Sequence, residues 1–248
     1  MPKVKQALIM AAGKGTRMEP LTLETPKPLV RVNGRAMIET IIDALHEQGI
    51  FKIGIVTGYL KEHFLALKEK YPDVQLIENP WYDTCNNISS LYAAKGWLED
   101  VLILDGDQII SDPKVLKTDF DHSGYACIWS PGPTEEWVLS PDEKGFVTSC
   151  SRTGADYGFR LLSVSWWSEE DGRKLQKDLE EEFILKKNTG IYWDDVALFC
   201  HPDHYRLKVH PIPEQSVTEI DSLEELIQMD PSYQGIKKGD AHGRQEES

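Results

Sequence analysis

The sequence predicts an α/β fold, a doubly wound mixed sheet with a smaller strand-rich insertion. In the first half of the 248-residue chain, apolar runs alternate with amphipathic stretches, as in the βαβ units of a parallel sheet. From about residue 110 the strands become shorter and more aromatic, and prolines and glycines separate them. This change favours antiparallel strands that cover the open edge of the sheet. We therefore expect one Rossmann-like domain over residues 1–230 and a polar tail or linker over 231–248.

The first part, about residues 1–110, alternates strands with helices. Short apolar runs predict strands at 4–10, 51–58, 74–79 and 101–107. Apolar residues at helical spacing predict helices at 36–49, 61–71 and 88–99. Gly49 follows the last periodic residues of the first helix and is expected to close its C-terminus.

The second part, about residues 111–230, is richer in strands. Aromatic and β-branched runs predict strands at 125–130, 136–140, 145–151, 159–167 and 207–212. Amphipathic spacing predicts helices at 169–185, 193–200 and 222–229. These strands would stand beside the ligand-binding edge of the sheet and form the wall of a second binding region.

Composition excludes several classes of protein. The net charge of −14 argues against nucleic-acid binding, which requires a surplus of Lys and Arg. No apolar run approaches the ~18 residues of a membrane span, and the N-terminus lacks the apolar stretch of a signal peptide, so we expect a cytoplasmic protein. The cysteines show no metal-binding spacing and are expected to be free thiols; they are Cys85, Cys127, Cys150 and Cys200.

A glycine-rich loop, MAAGKGTRMEP at residues 10–20, follows the first predicted strand. Glycines let backbone N–H groups approach an anion closely, and Arg17 adds positive charge, so the loop suits a phosphate. It matches neither common nucleotide-binding fingerprint, and by itself it equally fits a surface turn. Lys27 follows between two prolines, which restrict its backbone and favour a directed contact with phosphate.

The whole stretch AAGKGTRMEPLTLETPKPL, residues 11–29, resembles the signature of nucleotidyltransferases that move a nucleoside monophosphate from an NTP to a phosphorylated acceptor and release pyrophosphate. The resemblance implies that Arg17 holds the triphosphate. It also implies that Lys27 contacts the acceptor phosphate and the charge developing at the α-phosphorus, which makes both residues catalytic. The residues implied for CTP are Ala12, Gly13, Gly15, Thr16, Arg17, Asn87, Ser89 and Asp105.

Two pairs of carboxylates are candidates for a divalent cation. Asp105 and Asp107 end the buried strand LILDGD, at the edge where open α/β sheets place ligands. Glu219 and Asp221 alternate and would share one face of an extended segment. The resemblance implies Mg²⁺ between Asp107 and Asp221, with Glu219 as a further ligand.

Within this family the chain most resembles bacterial CTP:phosphocholine cytidylyltransferases, through motifs such as YDTCNNISSLY (82–92), SVSWW (163–167) and YWDD (192–195). Asn87 and Ser89 would lie beside the cytosine. Aromatic faces with a nearby carboxylate hold alkylammonium groups. The residues predicted to bind the acceptor are Lys27, Glu136, Trp137, Tyr192 and Trp193.

The predicted reaction is transfer of CMP from CTP to phosphocholine. Departures from the choline motifs, such as Ser168 after Trp167, leave 2-aminoethylphosphonate open as the acceptor. That branch is often fused to another enzyme of its pathway, which would account for a linker at the C-terminus. A sugar-1-phosphate nucleotidyltransferase and a non-catalytic nucleotide-sensing domain are further alternatives.

Overall fold

The computed structural model describes residues 2–236. Its strands are β1 (Gln6–Ala11), β2 (Arg31–Val32), β3 (Arg35–Ala36), β4 (Ile53–Thr57), β5 (Val74–Glu78), β6 (Val101–Asp105), β7 (Gln108–Ile110), β8 (Gly124–Ser130), β9 (Val138–Pro141), β10 (Val147–Ser151), β11 (Gly158–Trp167), β12 (Lys208–Pro211) and β13 (Val217–Glu219). Its α-helices are α1 (Met37–Glu47), α2 (Leu67–Lys70), α3 (Ile88–Ala93), α4 (Glu169–Leu179), α5 (Trp193–Asp195) and α6 (Leu223–Met229).

A mixed sheet of nine strands forms the centre of the described residues. Strands β5, β4, β1 and β6 run parallel to one another, and β11 joins β6 in the antiparallel direction. Strand β8 pairs with β11 on the edge opposite β6, whereas β9 pairs with the first residues of β11 on the same edge as β6. Strands β12 and β10 extend the sheet from β8 and β9. The predicted mixed sheet is therefore confirmed, and its two parts share a single sheet.

Apolar side chains cover both faces of the sheet. Helix α1 packs on one face, and α3 and α4 pack on the other. Strand alternation sends Trp166 to the first face and Trp167 to the second, and both indole rings are fully buried because each face is covered. Gly49 has a φ of 77° directly after α1, the left-handed conformation expected at a helix end.

Several element boundaries differ from the prediction. The predicted helix 61–71 begins as a 3₁₀ segment, Lys61–Ala66, and helix 88–99 ends at Ala93. The helices predicted at 169–185 and 193–200 both continue from α4 and α5 as π-helical turns, Glu180–Leu185 and Val196–Cys200. A π-helical turn has a wider hydrogen-bond spacing than an α-helix, but it spans too few residues for the difference to show in the sequence pattern.

The short pair β7 and β13 was not predicted, and it positions the site. The two strands are antiparallel, with Glu219 opposite Gln108. They therefore bring the segment around residue 219 next to the turn that follows β6. Their three-residue length is too short for a clear alternation in sequence.

The end of the described chain contacts the body of the protein. Residues 231–236 lie where the polar tail was predicted to begin, yet Tyr233 and Ile236 pack against the small apolar cluster that includes Met18 and Leu226. The Tyr233 hydroxyl also donates a hydrogen bond to the Arg31 carbonyl at 2.7 Å. The rest of the predicted tail, residues 237–248, lies outside the described residues. Among residues 2–236, no helix combines the length and apolar character that crossing a membrane requires.

Candidate active site

A cleft opens where the parallel strands β1 and β6 end. Its main cavity has a volume of about 280 Å³ and is lined by the glycine loop, Lys27 and carboxylates. Two further cavities of about 250 and 170 Å³ adjoin it. Asn87 lines all three of them. The position agrees with the rule that open α/β sheets bind ligands at the carboxyl ends of their strands.

The two loop glycines have different physical roles. Gly15 has a φ of 64°, and a Cβ placed there would lie 2.8 Å from the Cβ of Lys27. The carbonyl of Gly15 accepts a hydrogen bond from the Thr22 hydroxyl at 2.9 Å, which holds the turn against the following segment. At Gly13 a Cβ would meet no atom within 4 Å, so this position opens into the main cavity.

Lys27 is the central cation of the cleft and is only 7% exposed. Its Nζ donates to Oδ2 of Asp107 at 2.5 Å and to Oδ1 of Asp221 at 2.8 Å. Burial by itself would lower the pKa of Lys27, but the charges of the two carboxylates outweigh it and raise this pKa. Lys27 is therefore charged at neutral pH. Arg17 donates to the same Asp221 oxygen at 2.7 Å, so the two predicted catalytic cations converge on one carboxylate.

Three carboxylates form a group that fits a divalent cation. Asp105, Asp107 and Glu219 each offer an oxygen atom, and these atoms all lie within 4.8 Å of one another. Oδ1 of Asp107 is buried and has no hydrogen-bond partner among the described residues. Burial, followed by the charge of Asp107, raises the pKa of Asp105 to about 7 and raises the pKa of Glu219 as well. This donor set is what Mg²⁺ prefers.

Two of the three residues predicted to bind Mg²⁺, Asp107 and Glu219, lie in this carboxylate group, and binding of the ion stays a prediction. Asp105, which was predicted to contact the nucleotide, belongs to that same group. Asp221, which lies outside this carboxylate group, forms ion pairs with Arg17 and Lys27.

The cavity of about 170 Å³ corresponds to the region predicted for cytosine. Oδ1 of Asn87 accepts a hydrogen bond from the Trp193 backbone N–H at 2.8 Å. Ser89 is buried, donates to the Asn86 carbonyl at 2.7 Å and accepts from Asn79 at 3.0 Å. These bonds fix the loop before α3. Contacts of Asn87 and Ser89 with a nucleotide stay a prediction.

Glu136, Trp137 and Tyr192 line the cavity of about 250 Å³, which corresponds to the predicted acceptor region. The rings of Trp137 and Tyr192 meet edge to face, with centroids 5.7 Å apart. Trp193 does not belong to this wall. It is 1% exposed and packs against Trp167 in the core, because α5 directs it to the opposite side from Tyr192. Its predicted role in acceptor binding is therefore corrected to a role in packing.

Asp194 is a further candidate site residue, which the sequence motifs did not identify. It lines the acceptor cavity beside Tyr192, and its buried Oδ1 has no hydrogen-bond partner within residues 2–236. Burial and the charge of Asp105 raise its pKa well above the usual range. The YWDD motif was the available signal, but it does not tell which of its two carboxylates faces the cavity. The other, Asp195, accepts the Tyr192 backbone N–H at 2.9 Å and pairs with Arg152.

Lys14, the remaining cation of the glycine loop, points away from the cleft. Its ammonium pairs with Asp83 on the surface, and its side chain is half exposed. Among the loop's three basic and hydroxyl residues, Arg17 and Thr16 line the main cavity and Lys14 does not.

The fold and this cleft define a nucleotidyltransferase. Residues 7–158, more than half of the chain, match the MobA-like NTP transferase domain, and the chain belongs to this family. It is similar to the 2-aminoethylphosphonate cytidylyltransferase of Lancefieldella rimae, with 40% identity over 92% of each chain.

The chain also resembles the choline-phosphate cytidylyltransferase of Streptococcus pneumoniae, with 33% identity over 91% of this chain and 96% of that protein. A solved structure of the CTP:phosphocholine cytidylyltransferase from the same organism superimposes with a TM-score of 0.86 at 33% identity. It covers 93% of this chain and 99% of the other. These matches confirm the family resemblance seen in the sequence.

Proposed function

We propose that this protein transfers CMP from CTP to a phosphate or phosphonate oxygen of a small amine-bearing acceptor. The acceptor oxygen forms a bond to the α-phosphorus, and the bond from that phosphorus to the bridging oxygen breaks to release pyrophosphate. The observation that carries the proposal is the position of Lys27, whose charged Nζ lies between Asp107 and Asp221 where the cavities meet. Similarity to cytidylyltransferases over nine-tenths of the chain supports the choice of CTP.

Each part of the cleft has a role in this proposal. The backbone of the glycine loop cradles the triphosphate, and Gly13 leaves the necessary space. Arg17 and Lys27 stabilise the negative charge that develops at the α-phosphorus, which is the main source of acceleration in such displacements. Asp105, Asp107 and Glu219 would hold Mg²⁺, and the ion would neutralise phosphate charge when bound.

The acceptor cavity combines aromatic rings with carboxylates. Trp137 and Tyr192 offer ring surfaces to any alkylammonium group. Asp194 adds a buried carboxyl oxygen that faces the Tyr125 hydroxyl and has no partner within hydrogen-bond distance among residues 2–236. A primary ammonium can supply an N–H to this oxygen, whereas a quaternary ammonium has none. We therefore propose 2-aminoethylphosphonate as the first candidate, which agrees with the 40% identity to an enzyme of that name.

Phosphocholine is the second candidate, and the aromatic pair and the 0.86 TM-score favour it. Location in the cytoplasm and fusion to another enzyme of the pathway stay predictions from the sequence.

Pyrophosphate release separates these candidates. Four NTPs would each be tested against 2-aminoethylphosphonate, phosphocholine, phosphoethanolamine and glucose-1-phosphate, with Mg²⁺ present and then removed by EDTA. We expect turnover only with CTP and an amine-bearing acceptor, and none with EDTA. Turnover with glucose-1-phosphate and UTP or dTTP would contradict the proposal in favour of a sugar nucleotidyltransferase. CTP binding without turnover on any acceptor would favour a sensing domain.

A matched pair of variants tests the choice of acceptor. Asp194→Asn removes the buried carboxylate, and Glu136→Gln removes the exposed one on the same cavity. If the acceptor has a primary amine, Asp194→Asn should raise the KM for the acceptor at least tenfold. Glu136→Gln should change this KM much less, because solvent screens the charge of Glu136. Equal kcat/KM of the Asp194→Asn variant and the parent on 2-aminoethylphosphonate would remove the argument for a primary amine.

A further inference from the structure

A second cluster of ligating side chains lies apart from the residues that line the cleft. It joins the end of α4 to the segment after the second π-helical turn. Asp178, His201 and His204 each place a ligating atom within 4.8 Å of the others. Nδ1 of His204 lies 3.0 Å from Oδ2 of Asp178, and Nδ1 of His201 lies 3.9 Å from Oδ1 of the same carboxylate. Two imidazoles and a carboxylate thus converge on one point.

The hydrogen bonds around His201 determine which of its ring nitrogens is free to bind a metal ion. Nε2 of His201 lies 2.9 Å from Oε1 of the buried Glu182. Lys186 and Asn188 also donate to Glu182, so this carboxylate is held in place. In neutral His201, the proton therefore belongs on Nε2, where Glu182 accepts it.

That tautomer leaves the lone pair of Nδ1 pointing towards Asp178. The separation of 3.9 Å is too long for a hydrogen bond, and two acceptors would face each other across it. A cation between them would bind both. A histidine that donates its second N–H to a carboxylate while ligating through the other nitrogen is the usual arrangement around protein-bound metals.

We propose that Asp178, His201 and His204 form a site for a transition-metal ion of the Zn²⁺ class. Two imidazole nitrogens and one carboxylate suit Zn²⁺, Co²⁺ or Ni²⁺, whereas Mg²⁺ prefers oxygen donors. Asp178 and His201 are buried, the Tyr205 hydroxyl donates a hydrogen bond to Asp178, and Glu182 pairs with His201. His204 is half exposed, so the site opens to solvent and leaves room for a water as fourth ligand.

The position of the site suggests what the ion does. It would link α4 to the segment that begins with the π-helical turn Val196–Cys200. That turn carries Phe199, whose ring meets Trp137 edge to face at 5.8 Å. The ion would therefore brace one support of the acceptor cavity, and its role would be structural.

The test uses the full chain, freed of metal by a chelator and then titrated with Zn²⁺ or Co²⁺. With excess Mg²⁺ present to occupy the carboxylate group of the cleft, we expect one equivalent of Zn²⁺ to bind and to raise Tm by about 5–10 °C at a concentration of about 100 times Kd. Bound Co²⁺ should develop the visible absorption of a tetrahedral N/O site. Excess Mg²⁺ should not displace either ion. These readouts do not depend on enzymatic activity, so they stand or fall separately from the proposed function.

His204→Gln is the informative variant, because its half-exposed side chain can be replaced without opening the core. It should weaken Zn²⁺ binding at least tenfold and abolish the Co²⁺ spectrum. His46→Gln is the matched control, since His46 also lies beside a carboxylate, Asp73, at 2.8 Å, but belongs to no group of ligating side chains within residues 2–236. Absence of saturable Zn²⁺ binding would overturn the proposal. Binding that persists unchanged in His204→Gln would do the same, because the ion would then lie elsewhere.

Discussion

Replacing Lys27 with Met tests the centre of the proposed mechanism. Methionine has a similar length and volume but no charge. In the parent, the ammonium joins Asp107 and Asp221, whose side chains are 20% and 26% exposed. Loss of one partner from a fully buried ion pair costs about 3–5 kcal/mol. Because both carboxylates keep some contact with water, we expect the free energy of unfolding to fall by about 2 kcal/mol.

The effect on turnover should be larger than the effect on stability. Loss of one group that stabilises charge in the transition state costs about 10²–10³ in kcat. We therefore expect kcat to fall by at least about 10² while the protein remains folded. Initial rates of pyrophosphate release and urea denaturation measure the two quantities on the same preparation.

Lys5→Met is the matched control for this prediction. Lys5 also pairs with an aspartate, Asp100, at 2.7 Å, but its side chain is 69% exposed and lies at the opposite end of β1. Such exposed pairs contribute about 0–1 kcal/mol. A loss of less than tenfold in kcat for Lys27→Met, about 1.4 kcal/mol of barrier, would refute the role assigned to Lys27. An equal loss in Lys5→Met would attribute the effect to general destabilisation.

Four further predictions follow from local geometry and burial. Gly13→Ala should leave Tm unchanged and raise KM for CTP, because its methyl group projects into the open cradle. Gly15→Ala should lower the free energy of unfolding by about 1–2 kcal/mol, because alanine would have to adopt the left-handed backbone conformation and its Cβ would clash with the Cβ of Lys27. Trp193→Ala should lower it by about 3–5 kcal/mol in urea denaturation, because the ring is buried in the core. Burial lowers the pKa of His210 below its usual 6.5, so its contribution to stability is complete above pH 6.5 and declines as the pH falls below that value. The urea midpoint of the parent should therefore drop more steeply between pH 6.5 and 5 than that of His210→Gln.

An unchanged urea midpoint for Gly15→Ala would contradict the strain assigned to that position, and particular results would contradict the other three predictions. A lowered Tm for Gly13→Ala would mean that the position is not open. An unchanged urea midpoint for Trp193→Ala would contradict the packing role and would favour the predicted role of Trp193 in acceptor binding. Parallel pH profiles of the parent and His210→Gln would remove the contribution assigned to this histidine.

Much of the fold could be predicted because most of its strands and helices have patterns that are visible in neighbouring residues of the sequence. The β-branched runs of β1, β4 and β6 and the apolar stripe of α1 depend only on neighbours in sequence. The cations Arg17 and Lys27 were also predicted, because the AAGKGTRM and PKPL motifs lie in one continuous stretch. The carboxylate pairs were predicted separately, from the end of the strand LILDGD and from the alternation in TEIDS. Strands β7 and β13 could not be predicted, since a three-residue strand acquires its identity from its partner.

The acceptor region illustrates the limit most clearly. In YWDD, four adjacent residues carry side chains that could all bind a zwitterion. Only the packing of α5 on the core decides that Tyr192 and Asp194 face the cavity, while Trp193 is buried and Asp195 caps the turn.

The sequence by itself determined the fold class, the family and the candidate phosphate-binding loop, because these depend on local periodicity and on one contiguous motif. Tertiary structure alone decided which carboxylates gather around Lys27, since residues 105, 107, 219 and 221 meet only when β13 pairs with β7. It also decided that Asp178, His201 and His204 converge. Distances between residues that are far apart in the chain are set by packing, and a linear sequence does not display them.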